Sequence, residues 1–69
     1  MFVKDKDGDF VNLLQIVNIW NRDNCIECIT SDGKWVTIYE GENCQTYMAE
    51  LEKELAALDR DWETNIYYL

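Results

Sequence analysis

Histidine and proline are both missing from this 69-residue chain, and glycine occurs only three times. Without histidine, the commonest general base and the commonest zinc ligand are gone. Bases are scarce as well: six Lys and Arg face fourteen Asp and Glu, for a formal charge of −8. A surface of that sign does not suit a phosphate backbone, which calls for a basic face, so no direct nucleic-acid binding is expected. No apolar run approaches the roughly 20 residues that cross a bilayer. The opening Met1-Phe2-Val3-Lys4-Asp5 lacks the apolar stretch of a secretory signal. The expected location is cytoplasmic, without membrane contact. Three cysteines are an odd number, and in a reducing compartment they are expected as free thiols that pack as small hydrophobes.

What is present describes a folded module. Hydrophobic residues make up 48% and aromatics 13%, which sets the acidity apart from that of disordered chains. The length allows one domain, residues 1–69, with a small core. The periodicity changes near Gly41. Residues 1–39 alternate short β-branched and aromatic runs with turn signals, and residues 43–62 follow a helical period.

Phe2-Val3-Lys4 and Phe10-Val11-Asn12 flank Asp5-Lys6-Asp7-Gly8-Asp9, which reads as a hairpin or tight loop between two strands. Leu13-Leu14-Gln15 is a candidate bend. Ile16 to Asn21, Cys25 to Thr30 and Trp35 to Tyr39 read as strands, separated by Arg22-Asp23-Asn24 and Ser31-Asp32-Gly33-Lys34. In the last hairpin a two-residue Asp32-Gly33 turn would set Glu27 opposite Ile38, beside the core. A three-residue Asp32-Gly33-Lys34 loop sets Thr30 opposite Val36 and Cys28 opposite Ile38, and takes Glu27 off that face. The second register is expected, because a buried unpaired charge is costly. It asks Gly33 or Lys34 for a positive φ.

Asn43 is the expected N-cap of the helix. Cys44, Tyr47, Met48, Leu51, Leu55, Leu58 and Trp62 form one apolar stripe, with Glu50, Glu52, Lys53 and Glu54 off it. Fraying is expected around Asp59 to Glu63. Residues 63–69 form a tail in which Ile66-Tyr67-Tyr68-Leu69 has strand composition. The tail is a candidate edge strand, a docking segment or a contact with a second chain. The fold class that follows is α+β: a small antiparallel β-meander of three to five strands with one C-terminal amphipathic helix packed on one face.

The chemical motifs fail on geometry. Asp5, Asp7 and Asp9 match the first ligand positions of a calcium loop, but its glycine falls early and Ile16 stands where the closing glutamate belongs. Cys25 and Cys28 form a Cys-x-x-Cys, yet on a strand these positions face opposite sides. Cys44 is the only further cysteine, so one chain cannot build a four-cysteine zinc site. There is no Gly-rich phosphate loop. No enzyme activity, cofactor or metal is expected.

Two surfaces remain. From Glu40 onward the chain carries −6, and the first 39 residues carry −2. Glu50, Glu54 and Asp61 mark this acidic surface, which keeps a small domain soluble or imitates nucleic-acid phosphates in a basic groove. The second surface is aromatic. If Val17, Ile19, Ile26, Cys28, Val36 and Ile38 face the helix, the other sheet face carries Ile16, Trp20, Ile29, Trp35 and Tyr39. A solvated antiparallel face should read polar, so something covers this one: the chain's own termini, including Tyr67 and Tyr68, or a second chain.

Phe10-Val11-Asn12-Leu13, Ile16-Val17-Asn18-Ile19, Asp32-Gly33-Lys34 and Leu51/Leu55/Leu58 give the chain an outline similar to the small flagellar FlbD-like proteins of bacteria and phage. The resemblance covers roughly residues 10–58. It implies the strand–strand–turn–strand–helix order and no particular activity. The functional expectation is a non-enzymatic, self-associating protein-interaction module, a homodimer in its simplest form. The alternative is an acidic inhibitor of phage or mobile-element type that occupies a basic partner protein.

Overall fold

The computed structural model describes residues 1–58 and 64–69. Strands β1 (Phe2–Lys4) and β2 (Phe10–Asn12) form a hairpin, and a single 3₁₀ turn at Leu13–Gln15 leads into β3 (Ile16–Arg22). Strands β4 (Cys25–Thr30) and β5 (Trp35–Glu40), helix α1 (Cys44–Ala57) and strand β6 (Asn65–Tyr68) follow. The main sheet has the order β5-β4-β3-β6, and the β1–β2 hairpin is separate from it.

The α+β class is as expected, and two features of the arrangement are corrected. The helix lies mid-chain, because the tail returns to the sheet as β6. The sheet is mixed, because β6 runs parallel to β3 while β3–β4 and β4–β5 are antiparallel. Parallel neighbours need a long crossover, and the segment containing α1 supplies it.

The turns explain the hairpins. Asp5 accepts the backbone N–H of Asp7 and of Asp9 through Oδ1, each at 2.9 Å, and this closes the first loop as an Asx turn. The Lys6 N–H donates to the Thr37 carbonyl at 3.1 Å, so the loop sits on the outer edge of β5. Asp23 and Asn24 join β3 to β4 with φ of 52° and 58°. Two left-handed residues match the twist of the flanking strands, and Asp and Asn tolerate that region.

The β4–β5 register differs from both expected forms. The loop is Ser31-Asp32-Gly33: the Thr30 N–H donates to the Lys34 carbonyl at 3.0 Å, and Gly33 takes the positive φ, 82°. Cys28 therefore faces Val36 rather than Ile38. The Asp32 carboxylate accepts the Thr30 hydroxyl, which holds its pKa down and starts the loop one residue earlier than the Asp-Gly pair suggested. A shift between Ile26 and Glu27 then returns Tyr39 opposite Ile26. Ile26, Cys28, Val36 and Ile38 are all buried, as the hydrophobic pattern requires.

The core lies between the sheet and a cover made by α1 and one side of the β1–β2 hairpin. Ile16, Ile19, Ile26, Cys28, Val36 and Ile38 meet Cys44, Met48, Leu51 and Leu55 from the helix, and Val11 and Leu13 complete the cluster. Tyr47 and Leu58 pack against it half-buried. Asn43 precedes the helix without a side-chain cap bond, and α1 closes at Ala57 rather than at residue 62. Trp62 and the segment expected to fray, Asp59 to Glu63, lie outside the described residues.

Candidate functional site: an aromatic row on the helix-free face

Alternation along β3 and β5 turns Trp20 and Trp35 away from the buried Ile19 and Val36. Their strands flank β4, so the backbones stand about two strand spacings, roughly 10 Å, apart. The rings nevertheless meet over β4 with centroids 5.2 Å apart and planes within 7°. Trp20 carries a second ring on its other side. Tyr67, its partner in the β3–β6 register, stacks on it at 5.7 Å and 16°. The result is a row, Trp35–Trp20–Tyr67, standing across the sheet. Each stacked pair contributes about 0.5–1.5 kcal/mol beyond area burial.

Glu27 fixes one end of the row. The Trp35 indole N–H donates to Glu27 Oε2 at 2.9 Å, and Arg22 Nη2 lies 3.5 Å from Glu27 Oε1. The carboxylate thus has a donor and a cation beside it on the sheet surface. Neither Glu27 nor Arg22 was singled out as a site residue from sequence. The legible signal was an acid alternating with the buried residues of β4; in the observed pairing it faces Trp20 on one side and Thr37 on the other, with Trp35 diagonal to it. The ring faces within the row are occupied by each other, but its ends are open: Trp35 is 57% exposed and Tyr67 42%. Ile29, beside Trp35 in the β4–β5 register, is half-buried on the same face.

Three expected members of this face lie elsewhere. Ile16 is fully buried in the core, because a bulge between Ile16 and Asn18 reverses the alternation and leaves Val17 half-buried at the irregularity. Tyr39 belongs to the helix side, where it stacks on Tyr47 of α1 at 4.8 Å; the β5 shift at Ile38 brings it there. Gly41 makes room for that ring, since a Cβ at this position would come within 2.8 Å of the Tyr39 hydroxyl. Tyr68 also lies toward the helix, and its hydroxyl donates to Glu52 of α1, which pushes its pKa up to about 12.

The tail answers part of the question of what covers the aromatic face. Tyr67 reaches it from the chain's own C-terminal segment. Thr64 anchors the start of β6 by donating to the Ile16 carbonyl at 2.9 Å, and the Leu69 N–H donates to the Asn21 carbonyl at 3.0 Å. All four residues of β6 are exposed, and β6 is the last strand of the sheet on that side.

The other candidates separate. Cys28 is enclosed in the core and Cys25 is half-buried, so the Cys-x-x-Cys pair does not converge. Burial pushes the Cys28 thiol up to about 11 and also raises Cys44, whose Sγ donates to the buried Asn21 Oδ1 at 3.0 Å. Among the described residues, no group of three or more Cys, Asp or Glu is placed to hold a metal ion. Glu50 and Glu54 are exposed on α1, on the far side of the sheet from the aromatic row; Asp61 lies outside the described residues. No described helix is long and apolar enough to cross a membrane. Compared with known proteins, the chain matches no family model, no curated protein and no solved structure.

Proposed function

We propose that this protein is a non-enzymatic, acidic protein-interaction module that associates with itself through the aromatic side of its sheet. The observation that carries the reading is the Trp35–Trp20–Tyr67 row, held in place by Glu27 and half open to solvent on the face that α1 does not cover. Rigid Trp and Tyr rings at an exposed, preorganised site are the side chains that dominate interface energetics. Charge distribution supports it. Glu50, Glu52 and Glu54 sit on the helix side, while on the aromatic side Glu27 is matched by Arg22. Association on the aromatic side, through its face or its β6 edge, leaves the acidic face of α1 outside the contact. A small core also gains from association.

Sedimentation equilibrium tests this. The expected mass is near twice 8.2 kDa, and Trp20→Ala, which removes the centre of the row, is expected to return it to monomer. A chain that stays monomeric at high concentration overturns the reading.

A second reading rests on Glu50 and Glu54, exposed on α1 in a chain of charge −8. It is an acidic inhibitor occupying the basic groove of a partner protein. Its mark is binding to a basic protein that weakens with salt and is abolished by reversing Glu50, Glu54 and Asp61 to lysine. Binding indifferent to salt excludes it.

A further inference from the structure

The two edges of the main sheet are treated differently. On β5 the hairpin loop is docked, with the Lys6 N–H on the Thr37 carbonyl and the Lys6 ammonium 3.5 Å from Glu40. On β6 no described residue pairs with the outer side. The phase of its hydrogen bonds is set by the Leu69 N–H on the Asn21 carbonyl. In a parallel ladder the inward-facing residues alternate. Tyr67 and Leu69 therefore turn their N–H groups to β3, and Ile66 and Tyr68 turn theirs outward. Strand β6, Asn65–Tyr68, has no charged side chain, no proline and no bulge, so it lacks the usual devices that keep an edge from pairing.

We infer that β6 pairs antiparallel with β6 of a second copy, with Ile66 opposite Tyr68 and Tyr67 opposite Tyr67. This rests on the self-association proposed above and states its geometry. The hydrogen-bond phase limits the register to pairs of outward-facing residues, and among these Ile66 opposite Tyr68 is the one that engages both outward residues of β6 in each copy. Ile66 then pairs with Tyr68 of the copy and Tyr68 with its Ile66, so that both outward residues of each strand exchange hydrogen bonds. The two-fold axis then passes between the Tyr67 residues. Those form the non-hydrogen-bonded pair, in which side chains approach most closely. Tyr67 lies on the aromatic face and already stacks on Trp20. The two rows join at the axis and run Trp35–Trp20–Tyr67, then Tyr67–Trp20–Trp35 of the second copy. A strand identical to β6 meets these demands on both sides at once, which is the self-complementarity of an isologous interface. An unrelated strand would satisfy the backbone without extending the row.

The test combines mass with amide exchange on the whole chain. In a dimer built this way, the Ile66 and Tyr68 amides exchange slowly at high protein concentration and at least tenfold faster on dilution to monomer. The Tyr67 and Leu69 amides change far less. Ile66→Pro removes an outward N–H and leaves the β3–β6 bonds intact, so it is expected to give a folded monomer. Lys53→Gln, on the exposed side of α1 and outside the row, is expected to leave the dimer in place. A dimer that survives Ile66→Pro, or whose Ile66 and Tyr68 amides exchange rapidly at every concentration, overturns the edge pairing while self-association stands. A chain that is monomeric throughout overturns both and leaves the edge to a strand of another protein.

Discussion

The two faces of the sheet are closed by different physics. The helix side is aliphatic at its centre, with Tyr39 and Tyr47 at its margin: Ile19, Ile26 and Met48 have no exposed surface, and the polar atoms there are matched, as with Cys44 and Asn21. The other side has no covering layer. It is held by rings that lean over β4 and stack on one another, fixed by a carboxylate and left open at both ends. Non-directional burial supplies the stability of the first face. The second gives up part of that gain and keeps rigid, oriented aromatic surface in water. A chain this small has material for one core, so its second face is where a function that needs contact with other molecules would reside.

The contrast predicts a graded response. Met48→Ala, at the centre of the aliphatic side, is expected to cost about 3–4 kcal/mol. In a domain of this size that removes much of the net stability, and a urea melt reads it as a large fall in midpoint. A loss below about 1 kcal/mol would mean that the helix is not the principal cover.

The pH dependence probes the same side. Burial pushes the Cys28 thiol up to about 11 from its ordinary 9.0. The unfolded chain ionises first, so the contribution is full below pH 9 and lost as pH rises toward 11. The loss is roughly 2–3 kcal/mol. The measurement is the difference between the parent and Cys28→Ala, which should lack this component. Parallel melts of the two proteins across pH 8–11 would contradict the assignment.

On the aromatic side Trp20→Ala is expected to cost about 2 kcal/mol, from two stacked contacts and the burial they bring. Its signature differs from a core loss: the amides of β6 lose protection before the rest of the sheet does. Uniform destabilisation with β6 still protected would show that backbone pairing, not the row, holds the tail. The smallest effect belongs to neither face. Lys53→Gln breaks the exposed 3.7 Å pair with Glu50 and should change stability by less than about 0.5 kcal/mol in the same melt.

Much of this architecture was legible because hydrophobic period and turn chemistry are local. The strands at Cys25–Thr30 and Phe10–Asn12 and the stripe through Cys44, Met48, Leu51 and Leu55 follow from spacing alone. The aromatic site was half legible. Trp20 and Trp35 were placed correctly by alternation, while Tyr39 and Ile16 were not. One irregularity in β3 and one opposite Ile26 each invert the parity that alternation depends on. Those irregularities have no signature in residue type. The hairpin loop began a residue early because a Thr30–Asp32 side-chain bond competes with the Asp-Gly turn.

The sequence by itself determined the strand composition, the amphipathic helix, the excess of acid and the lack of histidine, all properties of single residues and near neighbours. Only the tertiary structure decided where the tail goes. Whether Ile66 to Leu69 docks, pairs or hangs free depends on contacts with β3, some fifty residues earlier, and on Trp20 offering Tyr67 a ring face. Such a choice is made by partners distant along the chain, and no local pattern records it.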